Sequence, residues 1–402
     1  MKKLLYLVHR LPYPPNKGDK ISSNNMLNFF SDHWRVHLGT FVDDPEDWQY
    51  VDIVRQQCED SCIIGLGRHK RLTGSIAGLL RNEALSLGYY ASRELQDWVR
   101  TCIDNECPDA VLIYSGVMGR FVRGVVPSHV PVVFDAEDVD SEKWRSYAAS
   151  EFWPVSWLYR READRLLSYE RAMAAATDVS VFVSAEEADL FRTLAPESAQ
   201  KVHYRTQGVN SEFFDPSRDY DNPYEPGQKV LVFAGAMDYR PNVEGVKWFC
   251  DHALARVRAA QPDLLFCIVG MKPTDEVLRL DRLGNVRVTG GVPDVRPYLA
   301  HAMAACLPLQ IARGIQNKAL EAMAMALPIL ATSDALEGIL SYAGWRPYVA
   351  DDPDTMVSLA IDILSRSREY DDAGRACVLE HYNWDTNLRR MEAFLLPDGE
   401  SA

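Results

Sequence analysis

Short apolar runs alternate with longer amphipathic stretches along the whole chain. Leu4 to Val8, Val36 to Phe41, Ala110 to Tyr114, Val130 to Phe134, Val179 to Val183 and Val202 to Arg205 read as buried strands of a first half. Val230 to Ala234, Leu264 to Val269, Val286 to Thr289, Ala304 to Leu307, Ile329 to Ala331 and Tyr348 to Ala350 repeat the scheme. The helical patterns between them predict parallel sheets wrapped by helices, an α/β fold of two doubly wound domains. Between the halves, Gly208 to Gly227 is polar and punctuated by Asp215-Pro216, Asn222-Pro223 and Glu225-Pro226-Gly227, the signature of a linker. The expected organisation is a first domain over 1–207, a linker over 208–227, a second domain over 228–371 and a helical tail over 372–402. Ligands of such sheets bind outside the carboxyl ends of the strands, so a cleft between facing domains is the expected site.

With 402 residues, 47% of them hydrophobic, the chain exceeds the roughly 250–300 residues at which single cores stop growing. A net charge of −14 argues against nucleic acid, which needs a basic face. The eight cysteines form no C-x-x-C pair and no zinc spacing. Cys267 and Cys306 fall inside apolar strands, as small buried hydrophobes do, and a reducing cytoplasm is the expected setting. The apolar start of the chain is closed by His9 and Arg10 too early for a signal peptide and predicts a strand. No run reaches the ~20 apolar residues that span a bilayer, so a soluble protein, or one resting on a membrane surface, is expected. The chain lacks G-x-G-x-x-G (Gly65-Leu66-Gly67 has no third glycine), a Walker loop and H-E-x-x-H. Dehydrogenase, ATPase and zincin chemistry are thereby set aside.

The densest chemical signal is Arg313-Gly314-Ile315-Gln316-Asn317-Lys318-Ala319-Leu320-Glu321-Ala322-Met323-Ala324. Gly314 allows a tight backbone approach, and a helix whose first turn runs from Ile315 to Lys318 presents free N–H groups and the positive dipole end to a phosphate. Asn317, Lys318 and Glu321 share one flank at three- and four-residue spacing. A carboxylate one turn below a phosphate seat can accept from ribose hydroxyls. The bland alternative is an ordinary helix with an exposed Glu–Lys pair.

Asp138 follows an apolar strand and is expected at its carboxyl end, either as a catalytic or acceptor-orienting carboxylate or as the cap of the helix near Ser141. Asp138-Val139-Asp140 is also a D-x-D, a pair of carboxylates able to hold a divalent metal, but the duplicated α/β plan and Glu321 favour a metal-free reading, with no cofactor. Phe152 to Tyr159 is rich in aromatics and is followed by Arg160, Arg161 and Arg165. Residues 152–165 are therefore either a peripheral membrane contact or core packing.

The stretch from Gly314 to Ala324, with His9 to Asp19 and Asp138 to Trp144, resembles GT-B glycosyltransferases of the large retaining family 4. It is most similar to the exopolysaccharide sugar transferases of exosortase (PEP-CTERM) systems, which carry a G-I-Q-N-K-x-L-E-A-M-A run. The resemblance covers nearly the whole chain and implies two Rossmann-like domains facing a cleft, with the C-terminal helix crossing back to the first. It implies Glu321 on the ribose and Gly314, Ile315, Gln316, Asn317 and Lys318 at the donor. The loop after the second domain's first strand would supply a cation to the diphosphate, and Arg240 is the cation in that loop, unless it is a surface arginine in a turn. Thr289 to Asp294 resembles the base-binding turn, with backbone at Val292 on the nucleobase and Asp294 as loop anchor. Gly18 matches a glycine that approaches phosphate and acceptor, with Lys17 and Asp19 as neighbouring contacts.

The wider family has a second glutamate eight positions before the ribose one, and here Arg313 stands there, available to a phosphate or an acidic sugar. The implied activity is retaining transfer of a sugar from a nucleotide diphosphate sugar to a saccharide, lipid-linked at the cytoplasmic face. The competing readings are a nucleotide-sugar-binding scaffold or sensor without turnover, and a nucleotide-sugar epimerase.

Overall fold

The computed structural model describes residues 1–67, 78–79, 82–312, 314–339 and 342–396. They divide into two compact units, Met1–Arg205 with Asp385–Ala402, and Thr206–Trp384.

The first unit is built on β1 (Lys3–Val8), β2 (Arg35–Val42), β3 (Asp60–Gly65), β4 (Ala110–Tyr114), β5 (Val132–Glu137), β6 (Val179–Phe182) and β7 (Val202–Tyr204). Among the described residues these form one seven-stranded sheet in the order β3-β2-β1-β4-β5-β6-β7, every neighbouring pair parallel. β1 and β4 are shielded from water along their whole apolar length, as strands covered by helices on both faces must be. The polar Asp60-Ser61-Cys62 start of β3 lies outside the expected strands. It becomes a strand because β2 offers it six register partners, and among the described residues its outer edge takes none.

The second unit carries β8 (Lys229–Ala234), β9 (Leu264–Val269), β10 (Val286–Gly290), β11 (Ala304–Leu307), β12 (Ile329–Ala331) and β13 (Tyr348–Val349). Their order is β10-β9-β8-β11-β12-β13, again parallel throughout. Strand order reverses direction between β1 and β4 in one sheet and between β8 and β11 in the other. The loops at those carboxyl ends diverge there and leave room for a ligand.

Two boundaries differ from expectation. The division falls at Arg205/Thr206, and residues 208–227 fold onto the second unit instead of spanning freely. Phe214 and Tyr224 are buried, and the Tyr224 hydroxyl donates to the Tyr298 carbonyl at 2.8 Å. The tail splits as well. Asp372–His381 is a helix of the second unit, ended where the His381 and Tyr382 carbonyls accept from Thr206 Oγ1 and Val209 N–H. Only the following helix, Trp384–Leu395, joins the first unit, burying Leu388, Met391 and Leu395 and presenting Glu392 to the Trp34 indole at 2.8 Å.

Two charge pairs are sealed inside the first unit among the described residues, Lys20 with Asp47 at 2.6 Å and Asp135 with Arg205. Asp135 on β5 and Arg205 just beyond β7 are 0% and 1% exposed, with Oδ2 at 2.8 Å from Nε and 2.7 Å from the terminal nitrogen. Removing one partner strands the other in an apolar core. Arg205→Ala is therefore expected to cost about 3–5 kcal/mol in urea unfolding followed by circular dichroism.

Candidate active site

In the first unit, polar chemistry collects where β1, β4 and β5 end. Tyr114 closes β4 and its hydroxyl faces two oxygens, the Asp19 carbonyl at 3.1 Å and Oε1 of Glu137 in a short contact. The Asp19 carboxylate is held by His9 Nε2 at 3.1 Å and an Arg10 guanidinium nitrogen at 2.8 Å, while Arg10 Nε reaches Asp43 at 2.9 Å. Against the cost of burial, the His9 bond and the Arg10 charge hold Asp19 well below the usual carboxylate range. Asp19 thus fastens the β1 loop to the helix Gly18–His33. Lys17 precedes that helix in extended conformation, its side chain making no capping bond, and Gly18 is the first helical residue.

Asp138 is half-buried immediately after β5 and its N–H donates to the Ala136 carbonyl at 3.0 Å. No side-chain cap closes the next helix, Asp140–Ser150; its start is met by Glu187 on Val139 N–H and by Glu170 on Ser141. The residue before Asp138 is the more unusual one. Glu137 sits at φ 63°, in the left-handed region that side chains avoid, and the β5–β6 register slips by a residue between Asp135 and Glu137. A bulge of this kind re-aims a side chain, and backbone strain concentrates at functional positions. Burial pushes the Glu137 carboxyl up to about 8, with the Asp138 and Asp135 charges adding to the effect and the Tyr114 bond opposing it. Sequence reading missed Glu137 and Tyr114. The usable signal was a second acid inside Asp135-Ala136-Glu137-Asp138, at the end of an otherwise apolar strand.

In the second unit the corresponding cluster lies between the ends of β8 and β11. Gly314 takes φ 64°, and the chain turns Ile315 into the core before Gln316, still extended at φ −86° and ψ 107°, caps the helix Asn317–Ala324. The helix therefore starts two residues later than Ile315, because Ile315 follows the demand for burial and not the helical path. Its first amides belong to Asn317 and Lys318. Lys318 Nζ donates to Gln316 Oε1 at 2.9 Å and lies 5.9 Å from the centre of the Phe233 ring. Burial pulls the lysine down to about 8, with the Glu321 charge opposing, and pushes Glu321 up to about 7, with Lys318 opposing. Ala319, Leu320, Ala322, Met323 and Ala324 are fully buried, so small side chains bring this helix close to its sheet.

The remaining candidates lie around this cluster. Arg240 opens the helix Arg240–Phe249, largely exposed, with Nε at 2.7 Å from Glu244 Oε1. Val292 and Asp294 follow β10, and Asp294 accepts from the Arg296 backbone and guanidinium at 2.9 and 2.7 Å, closing that turn. Arg313 lies outside the described residues. Among the described residues no group of three His, Cys, Asp or Glu side chains converges as a metal-ligand set, and no helix is long and apolar enough to cross a membrane.

The glycosyl transferases group 1 family matches residues 228–366, the body of the second unit. No curated protein matches the sequence. Among solved structures the chain is similar to Anabaena HepE in complex with UDP and glucose, at 12% identity and TM-score 0.66, covering 98% of this chain and 99% of that one. It is similar to WaaG, a glycosyltransferase involved in lipopolysaccharide biosynthesis, at 16% identity and TM-score 0.65 over 99% and 100% of the two chains. A mutant of S. aureus TarM in complex with fondaparinux, alpha-GlcNAc-glycerol and UDP aligns at 9% identity and TM-score 0.66 over 99% and 100%. Identities this low speak for fold alone, two Rossmann-like domains of the GT-B plan. The group 1 match over residues 228–366, carried on a chain of that fold, supports a transferase of the glycosyltransferase type.

Proposed function

We propose that this chain moves a sugar from a nucleotide diphosphate sugar to a saccharide acceptor, with retention at the transferred carbon and without a metal. The observation that carries the reading is the seat after β11, where Gly314 delivers a helix start, a half-buried Lys318 and Glu321 one turn on. Free amides at a helix N-terminus suit phosphate, and the half-buried Glu321 suits ribose hydroxyls. Val292 and the turn closed by Asp294 and Arg296 are assigned to the base. HepE is bound to UDP and glucose in one structure and to UDP-glucose in another, which supports a donor of this class. The catalytic contribution is positioning plus stabilisation of charge on the departing diphosphate.

The acceptor is assigned to the first unit's rim at Glu137 and Asp138, with Lys17, Gly18 and Asp19 shaping the adjoining loop. Tyr114 has one hydroxyl proton and two oxygens to meet. The phenol donates toward both oxygens, and burial, which raises the Glu137 carboxyl to about 8, favours its neutral form. A neutral acid beside Asp138 suits an uncharged sugar hydroxyl.

Membrane association at the cytoplasmic face and a lipid-linked exopolysaccharide acceptor, as in the PEP-CTERM-associated branch of family 4, complete the proposal. Phe152, Trp153 and Trp157 are 89%, 81% and 57% exposed at the head of the helix Val155–Ala176, beside the exposed Arg160 and Arg165. Such rings gain free energy by entering a lipid interface.

Three measurements test these assignments. A nucleotide diphosphate at a hundredfold excess over its Kd should stabilise the native state by about 2.7 kcal/mol, seen as a rise in melting temperature. Glu321→Ala should weaken that ligand about tenfold, and a screen in which no nucleotide moves the melting point would end the donor reading.

Because Glu137 binds its proton more tightly folded than its ordinary value of 4.5, the unfolded chain releases it first. Its contribution to stability is present below that value and is lost as pH rises toward 8. Glu170, raised by burial to about 8, acts in the same sense. Glu137→Gln should therefore flatten, without abolishing, the fall in urea midpoint between pH 5 and 8; an unaltered slope would mean an ionised Glu137.

Trp153→Ser combined with Trp157→Ser should remove the protein from sedimented anionic liposomes. Wild type that stays in the supernatant would exclude the membrane contact.

A further inference from the structure

Away from the donor seat, the second unit carries a cavity of about 170 Å³ that joins three separate stretches of chain. Arg218, Asp219 and Tyr220 line it from the segment after the unit boundary, His301 from the turn before β11, and Arg368 and Tyr370 from the connection between the helices Pro353–Ser365 and Asp372–His381. Arg368 is tied to the carbonyl of Ala302, just ahead of β11 (Ala304–Leu307). The cavity therefore lies at the amino end of that strand, whereas Gly314 and Lys318 follow its carboxyl end.

The basic groups of this cavity are held in place by neutral oxygens. Arg368 is half-buried; its Nε donates to the Ala302 carbonyl at 3.1 Å and Nη1 to the Tyr370 hydroxyl at 3.2 Å, with the guanidinium 4.7 Å from the centre of that ring. Among the described residues Arg368 makes no ion pair. Arg218 Nη2 donates to the Glu212 carbonyl at 2.7 Å. The one carboxylate that Arg218 reaches among the described residues, Asp215, is 4.0 Å away and already serves Ser217 and Arg375. His301 Nε2 lies 2.7 Å from the Tyr220 carbonyl; a carbonyl only accepts, so this nitrogen donates and Nδ1 is the ring's remaining polar atom. Neutral acceptors fix the direction of a cation without cancelling its charge. Two guanidiniums thus converge, without a close counter-charge, on one small cavity of a chain whose net charge is −14.

The other lining groups decide which kind of anion fits. Asp219 lines the same cavity, and as an acceptor it repels a bare inorganic ion. It suits a ligand that carries hydroxyl donors beside its negative group, and Nδ1 of a neutral His301 calls for the same partner. Tyr220 and Tyr370 add ring surface on which the C–H face of a sugar can lie. The volume falls below the roughly 300–1,000 Å³ of sites for larger ligands, which leaves room for one sugar ring and excludes a whole nucleotide sugar.

We propose that this cavity is a second ligand site, which binds a single sugar residue bearing a carboxylate or a phosphate. Arg218 and Arg368 take the anionic group, and Asp219 and His301 take ring hydroxyls. The site shares no residue with the donor seat and does not depend on the donor reading. A free sugar acid or sugar phosphate and a charged unit within a polysaccharide present the same chemistry to it.

Calorimetric titration of the full-length protein with glucuronate, glucose 6-phosphate, glucose and inorganic phosphate tests the assignment. A charged sugar should bind at least about tenfold more tightly than glucose or inorganic phosphate. Arg368→Gln and Arg218→Ala should each weaken it about tenfold; Arg218 is exposed, so its variant keeps the test decisive if Arg368→Gln does not fold. Asp219→Asn should weaken the charged sugar and strengthen inorganic phosphate, a reversal that a purely structural role would not produce. Glu321→Ala, at the donor seat, should leave the affinity unchanged. A tetrasaccharide of alternating glucuronate and N-acetylglucosamine that binds with the same arginine dependence assigns the site to a polymer, and its exclusion while glucuronate binds assigns it to a free sugar; both outcomes bear the proposal out.

The proposal is overturned if no charged sugar binds at about 20 mM, where even a millimolar site is filled. It is equally overturned if glucose binds as well as glucuronate, if either arginine variant binds like wild type, or if inorganic phosphate alone binds, which would mark an adventitious ion only. A loss confined to Glu321→Ala would place the sugar in the donor seat and end the proposal while leaving the donor reading intact.

Discussion

Parallel pairing is the constraint from which the rest of this structure follows. When every strand of a sheet points the same way and helices cover both faces, apolar side chains must fill both sides of the central strands, as they do along Leu4–Val8 and Leu264–Val269. Polar groups are then left with the strand ends, and the carboxyl ends all open on one edge. That is why Tyr114, Glu137, Asp138 and the β1 loop meet in the first unit, and why Gly235, Asn242 and Lys318 meet in the second, although each set comes from widely separated stretches of chain.

The two units treat buried charge in opposite ways. Asp135 and Arg205 answer each other's charge across β5 and β7, although Nη1 and Nη2 of the arginine meet no hydrogen-bond partner. Lys318 is half-buried, but its hydrogen-bond partner is an amide and its nearest acid is a turn away. A charge met by a buried counter-charge is architecture. A charge that is half answered leaves free energy for a ligand to supply.

Much of this was legible in the sequence, for a physical reason. Strands buried on both faces are continuous apolar runs, so the lengths of β1, β4, β8, β9 and β11 stand out, and the spacing of Asn317, Lys318 and Glu321 is a property of any helix. What stayed hidden depends on non-local events. β3 is a strand only because β2 lies beside it, and its Asp60-Ser61-Cys62 start has little strand character of its own. Glu137 gains its character from a bulge and a left-handed backbone, which no pattern of period two encodes. Ile315 and Gln316 belong to a helical sequence yet stay out of the helix, because burial of Ile315 overrides propensity.

The return of the last helix to the first unit sets the order in which the molecule can be finished. Trp34 and His203 await Glu392 and Phe394, and the pockets for Leu388, Met391 and Leu395 stay open until those residues exist. During synthesis the whole of the second unit is therefore made, and can fold, while the first still exposes an apolar groove on its surface. The first unit is completed only after the second has been made, and its vulnerability to aggregation lasts as long as translation of its partner.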